Sequence, residues 1–255
     1  MLKIENLHFD FDGFEVLRNV SFNVERGQVC ALLGPNGTGK TTLLKCIARL
    51  FNYGRGNVLV ENENIGMKKI GEIARLIAYV PQEHKPPFPY LVKEVVLMGR
   101  TPHLGGVFGP TEKDIKLAIR SMELVGIENL ADRPYTNLSG GQRQLVIIAR
   151  AITQSPKILL LDEPTSNLDF RNQIKIWNLV RELAKKEDLT VVGCTHDPNH
   201  VLWFCDKVVI LGDDGIVASG TPTDVINNGI LNKIYDNICD VRCLDDIHMV
   251  VPNIA

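Results

Sequence analysis

Residues 29–50 read VCALLGPNGTGKTTLLKCIARL, and the fold follows from how this stretch is divided. An apolar run, Val29 to Leu33, stops at a glycine-rich loop, and a helical pattern of apolar residues begins directly after Lys40. A strand feeding a helix through G-x-x-x-x-G-K-T is the context in which glycines let successive backbone N–H groups curl around phosphates. In that reading Lys40 bridges the β- and γ-phosphates with a point charge, and the Thr41 hydroxyl is placed to ligate Mg²⁺. Gly34, Pro35, Asn36, Gly37, Thr38, Gly39, Lys40, Thr41 and Thr42 are the candidate contacts, and the expected ligand is a nucleoside triphosphate.

Further along, KILLLDEP (157–164) is an apolar strand ending in two carboxylates. Asp162 at its end can hold the Mg²⁺ shell, and Glu163 can orient or deprotonate an attacking water. The guanine-reading N-K-x-D pattern is absent, since Asn232-Lys233 is followed by Ile and Tyr, so a GTP-specific switch is disfavoured.

The alternation continues with TVVGCT and then PNHVLWF, which predicts βαβ units and a mostly parallel, buried sheet. LKIENLHFDF and VLRNVSFNVERGQ read instead as antiparallel strands near the N-terminus. Between Lys85 and Thr153 the strand signal gives way to helices, notably Leu91 to Met98 and Glu112 to Val125, punctuated by Pro/Gly-rich KPPFPY and TPHLGGVFGP. The expected architecture is α/β: one domain with a phosphate-loop core (1–84 and 154–255), an N-terminal antiparallel β-subdomain and an inserted helical subdomain (85–153). From Thr221 onward two short helices and a hairpin are expected. Cys239, Cys243 and His248 lie close together there, but their spacing matches no zinc pattern, and the period-2 alternation reads as an edge hairpin.

NLSGGQRQ (137–144) places two glycines at the start of a helix that runs to about Thr153. Ser139 is a good N-cap, and Gly140 and Gly141 let the backbone approach an anion closely.

With 255 residues and 45% hydrophobic content the chain can bury a large core, and a net charge of -2 gives nucleic acid no support as main partner. The apolar runs fall short of the roughly 18 to 20 residues that cross a bilayer. The acidic N-terminal stretch MLKIENLHFDFDG is unlike a signal peptide, so the chain is expected to stay in the cytosol. The six cysteines are scattered, several in apolar runs, and read as reduced thiols.

The order GPNGTGKT, LSGGQ, ILLLDEP resembles the ATP-binding subunits of ABC transporters over essentially the whole chain. The resemblance implies ATP and Mg²⁺ as cofactors. Gln82, in AYVPQ, is similar to the glutamine that joins core to helical lobe and reaches the metal and the water. His196, in VVGCTHD, is similar to the histidine that hydrogen-bonds the γ-phosphate, and SNLD (166–169) to the loop that links two sites across a dimer. The adenine-stacking position falls on Phe11, with Phe9 and Phe14 as alternatives, where the family usually has tyrosine. The implied assembly is a head-to-tail homodimer in which Ser139, Gly140, Gly141 and Gln142 of one copy face the γ-phosphate on the other's phosphate loop. It further implies two permease subunits, an external substrate-binding protein and a peripheral place on the cytoplasmic face of the membrane. VVLMGRTPHLG and THDPNH resemble importers of iron-siderophore complexes, haem or cobalamin; importers of an oxyanion such as molybdate look alike, and a soluble ABC ATPase outside transport is the remaining alternative. In such systems the groove beside Gln82, lined by residues around Phe88 to Met98 and including Val95, receives a permease helix.

Overall fold

The computed structural model describes residues 1–82, 88–105 and 109–253. Its centre is a six-stranded sheet in the order β10 (Gly215–Gly220), β9 (Lys207–Gly212), β3 (Val29–Leu33), β8 (Thr190–Cys194), β7 (Ile158–Leu161), β6 (Ile77–Val80). Every pairing is parallel except β9 with β10. All residues of β3, β7 and β8 are buried, as expected for parallel strands covered on both faces.

The period-2 alternation sorts these strands between two layers. Leu159, Leu161 and Val191 face Trp177 and Val180 of α6 (Phe170–Lys186). Ile158, Leu160, Val192 and Cys194 face Leu43, Leu44 and Ile47 of α1 (Lys40–Ile47). The same second layer takes the inward residues of an antiparallel sheet, β2 (Phe14–Val24), β1 (Leu2–Phe11), β4 (Arg55–Val60), β5 (Glu63–Asn64). The short helix α2 (Ile70–Leu76) leads from it into β6.

Between residues 88 and 153 the described residues form helices: α3 (Val92–Leu97), a 3₁₀ turn (Met98–His103), α4 (Glu112–Val125) and α5 (Gly140–Thr153). The expected boundary at 84/85 and parts of both Pro/Gly-rich stretches lie outside the described residues. Val95, expected beside a docking groove, is only 1% exposed. With Val92 and Val96 it forms the inward stripe of α3, packed in one core with Leu145, Val146 and Ile148 of α5. A charge at Val95 would therefore disrupt the core instead of selectively blocking a partner.

Arg100 is buried in this region. Its Nε donates to Asp114 Oδ1 at 2.8 Å and its Nη1 to the Thr153 carbonyl at 2.9 Å, tying the start of α4 to the end of α5. Asp114 also accepts from the Thr111 hydroxyl at 2.6 Å. Thr111 and Arg100 together hold the Asp114 carboxyl well below the usual carboxylate range. A depressed folded-state pKa contributes stability above the unfolded value near 4 and loses it as pH falls toward the folded value. Denaturant unfolding of Asp114→Asn should show lower stability than wild type at neutral pH, with the gap narrowing as pH drops below about 4.

The C-terminal hairpin departs from expectation. β11 (Cys239–Leu244) and β12 (Ile247–Pro252) pair only with each other among the described residues, so the hairpin is no edge of the main sheet. It packs on α7 (Pro198–Phe204) and on α9 (Asn228–Tyr235), which follows the one-turn α8 (Pro222–Val225). Asn199 brackets Val250, its Nδ2 donating to the carbonyl at 3.1 Å and its Oδ1 accepting from the N–H at 2.7 Å. Trp203 Nε1 donates to the His248 carbonyl at 3.0 Å.

Candidate active site

Four parallel strands end on the same edge of the sheet, and each delivers one part of the site. Gly34 follows β3, Gln82 lies two residues beyond β6, Asp162 and Glu163 follow β7, and His196 lies two residues beyond β8. Ligands of open α/β sheets bind at this carboxyl edge because loops there can splay apart above a rigid support.

The loop between β3 and α1 has its glycines where side chains fail. Gly34 sits at φ 150°, where a Cβ would run into the Leu211 carbonyl of β9. Gly37 and Gly39 are left-handed at φ 89° and 88°, and Gly39 caps α1 with no side-chain acceptor, so the helix start offers its N–H groups to an anion. Lys40 is buried, its ammonium donating to the carbonyls of Gly34 and Pro35 at 2.7 Å each. Burial lowers its pKa, against the opposing pull of nearby groups that include Glu163 and Asp162.

Asp162, 3% exposed, is held from both sides. Thr41 Oγ1 donates to Oδ1 at 2.7 Å and the Tyr79 hydroxyl to Oδ2 at 2.8 Å. Burial, reinforced by the Asp162 carboxylate, pushes the Tyr79 phenol pKa far up. Tyr79 lies within AYVPQ, but nothing in the sequence singled it out; the signal is its cross-strand register with β7.

Glu163 has left-handed backbone, φ 45°, uncommon for a residue with a long side chain. Gln82 Nε2 donates to its Oε2 at 2.9 Å, and His196 Nδ1 stands 3.9 Å from the same oxygen. Carboxylate, amide and imidazole thus converge on one point.

At the start of α5, Ser139 Oγ accepts from Gln142 N at 3.3 Å and Gln142 Oε1 accepts from Ser139 N at 3.1 Å. Gln142 is therefore engaged within its own helix. The atoms nearest to a Cβ built at Gly140 or Gly141 belong to Leu168 and Asn172, at 3.7 Å and 3.1 Å. The helix start borders a cleft shared with Gln82, Glu163 and Ser166, beside the 166–169 loop.

The hairpin strand β2 lies against the phosphate loop, since a Cβ at Gly39 would meet Leu17 at 2.9 Å and Val16 at 3.1 Å. Phe11 at its turn is 48% exposed and meets Phe9 and Phe51 edge-on at centroid distances of 4.8 and 5.5 Å. Phe9 is buried and stacked on Phe51, which removes it as an alternative; Phe14, 75% exposed, stays open to a ligand.

The profile of the ABC transporter family matches residues 17–166. The chain is 36% identical to an uncharacterized ABC transporter ATP-binding protein of Methanocaldococcus jannaschii over 99% of this chain and 98% of that protein. It is 36% identical to a "probable iron chelatin transport ATP-binding protein" of Helicobacter pylori, covering 96% and 97% of the two chains. It is 37% identical to a molybdate import ATP-binding protein of Haemophilus influenzae over 82% and 78%. Among solved structures it is similar to an inward-facing "putative metal-chelate type ABC transporter", with TM-score 0.87, 32% identity and coverage of 99% and 97%. It is also similar to a dimeric bacterial ABC transporter cassette, with TM-score 0.75, 29% identity and coverage of 87% and 99%.

Proposed function

The chain belongs to the ABC transporter family of ATP-hydrolysing subunits, and from that premise we propose that it powers import of a metal chelate or related cofactor, an iron-siderophore complex, haem or cobalamin. ABC ATPases bind ATP, form dimers and work with permease subunits. No helix among the described residues is long and apolar enough to cross a membrane. In this proposal the chain sits on the cytoplasmic face of the membrane through two permease subunits, and an external binding protein delivers the cargo. The similarity to an iron chelatin subunit and a metal-chelate transporter over nearly the full chain carries the cargo reading. The shorter similarity to a molybdate importer supports an oxyanion as the second reading.

The site supports in-line hydrolysis of the γ-phosphate. Gly34 to Thr42 cradle the phosphates, and Lys40 exchanges its carbonyl partners for phosphate oxygens. Thr41 and Asp162 are hard oxygen donors on one small locus, which suits Mg²⁺, an ion that takes one or two protein oxygens and completes its shell with phosphates and waters. When bound there, Mg²⁺ offsets charge on the β- and γ-phosphates. Glu163 accepts the proton of the attacking water, Gln82 fixes the Glu163 oxygen, and His196 hydrogen-bonds the γ-phosphate. Phe11 supplies the face for adenine.

The permease is assigned to an apolar groove on the helical lobe between α3 and α4. Leu97, Ile115, Ile119 and Met122 line it, with Lys93 and Asp132 at its rim. Ile115 and Ile119 are 45% and 46% exposed, unlike Val95. The test is reconstitution with the permease in liposomes, supplied in turn with binding protein carrying an iron chelate, haem, cobalamin or molybdate. ATP-driven uptake of a chelate or cofactor is expected, and uptake of molybdate alone would favour the second reading. Ile119→Glu should cut uptake about tenfold or more while leaving the basal ATPase of the isolated subunit near wild type; undiminished uptake would place the permease elsewhere.

A further inference from the structure

We propose that Tyr79 is a positioning residue for the metal-holding carboxylate, acting through Asp162 without touching nucleotide. The inference rests on the reading of Thr41 and Asp162 as the metal locus.

Tyr79 on β6 pairs with Leu160 on β7, and Val80 pairs with Leu161. Asp162 N donates to the Val80 carbonyl at 2.9 Å, so pairing continues one residue past the end of β7. Leu160 and Asp162 are two apart and share a sheet face. Leu160 packs in the layer under α1, where Tyr79 also packs. Tyr79 and Asp162 are thus diagonal neighbours on that face, a separation that a long aromatic side chain spans.

The chemistry follows from what a carboxylate can do. A carboxylate oxygen accepts, and Thr41 and Tyr79 each direct a hydroxyl hydrogen at one of the two Asp162 oxygens. For Thr41 this leaves the oxygen lone pairs facing away from Asp162 and free to accept or to ligate. For Tyr79 it means that the hydroxyl is spent on Oδ2, with the ring packed below. Rotation about the terminal torsion of an aspartate is broad unless contacts fix it. Here one hydroxyl on each oxygen fixes it, and among the described residues the Thr41 bond alone would remain if Tyr79 lost its hydroxyl. Oδ2 would then be a nearly buried acceptor without its partner, and the carboxylate would turn to seek another. The Thr41 hydroxyl would lose its fixed acceptor, and the metal locus its shape.

Tyr79→Phe keeps the packed ring and removes only the donor. The experiment titrates MgCl₂ into full-length protein with a fluorescent ATP analogue and reads nucleotide binding, for wild type, Tyr79→Phe and Asp162→Asn. Tyr79→Phe should raise the Mg²⁺ concentration for half-maximal binding about threefold to tenfold, as for partial loss of a hydrogen bond to a charged group. Its affinity for the analogue without Mg²⁺ should stay within about twofold of wild type. A wild-type Mg²⁺ requirement in Tyr79→Phe, alongside a shifted one in Asp162→Asn, would overturn the role of Tyr79 alone. Equal weakening with and without Mg²⁺ would make Tyr79 a packing residue and also overturn it. An unshifted requirement in both variants would sink the reading of Asp162 beneath it.

Discussion

Glu163→Gln should bind ATP, dimerise on it and hydrolyse it about 10²- to 10⁴-fold more slowly than wild type, a barrier increase of roughly 3 to 5 kcal/mol. The substitution isolates basicity from everything else the side chain does. A glutamine has the same length and branching, and its amide oxygen can take the place of Oε2 as acceptor for Gln82 Nε2, now at 2.9 Å. The left-handed backbone at position 163 is no harder for glutamine than for glutamate. Binding groups on the other side of the site, Lys40 and the Gly34–Thr42 loop, are untouched. What the variant lacks is an acceptor strong enough to take a proton from water. The trapped species should elute as a dimer in size-exclusion chromatography with MgATP and as a monomer without it. Phosphate release within about twofold of wild type would remove Glu163 from the role of general base.

Much of this arrangement could be read from residue order because its determinants are local. A buried strand, a glycine loop and a helix are contiguous from Val29 to Ile47, and each glycine answers a backbone demand within the loop or against an adjacent strand. The start of α5 was legible for a similar reason, since Ser139 and Gln142 cap each other three residues apart. Longer-range relations were not. Val95 sits on a short helix whose three valines all face inward, and a six-residue helix carries too little periodicity to say which side its partner lies on. The tail alternates like an edge strand, yet its two strands pair with each other and dock on α7, where the Asn199 amide brackets Val250 across 51 residues, a contact that no alternation encodes. Tyr79 depends on which residue of β7 stands opposite, a register fixed only when the two strands pair. The choice between Phe11 and Phe14 turns on the geometry of a hairpin tip, where both rings are partly exposed.

Lys40→Ala and Gly140→Asp should each abolish ATPase activity, by about 10²-fold or more, and a mixture of the two proteins should recover activity that neither has alone. Lys40→Ala removes the only charge that the loop itself places among the Gly34 and Pro35 carbonyls, so phosphate binding is lost. Gly140→Asp acts differently. Among the described residues a Cβ at Gly140 meets Leu168 alone, at an ordinary 3.7 Å, and the position is exposed, so a side chain can be placed there. A carboxylate in the first turn of α5 stabilises that helix by about 0.3 to 1 kcal/mol, so the fold should survive. The same charge repels a γ-phosphate approaching the helix start, and closure of the site fails. If each site joins one copy's phosphate loop to the other copy's α5, a mixed dimer pairs the intact loop of the Gly140→Asp chain with the intact helix start of the Lys40→Ala chain. One of its two sites is then whole. At equal proportions with free exchange, about a quarter of wild-type turnover is expected from independent sites. If instead each chain used its own helix start, every site in the mixture would carry one lesion and turnover would stay at the level of the separate variants. That outcome would refute the head-to-tail arrangement, while the individual losses would still implicate both segments in hydrolysis.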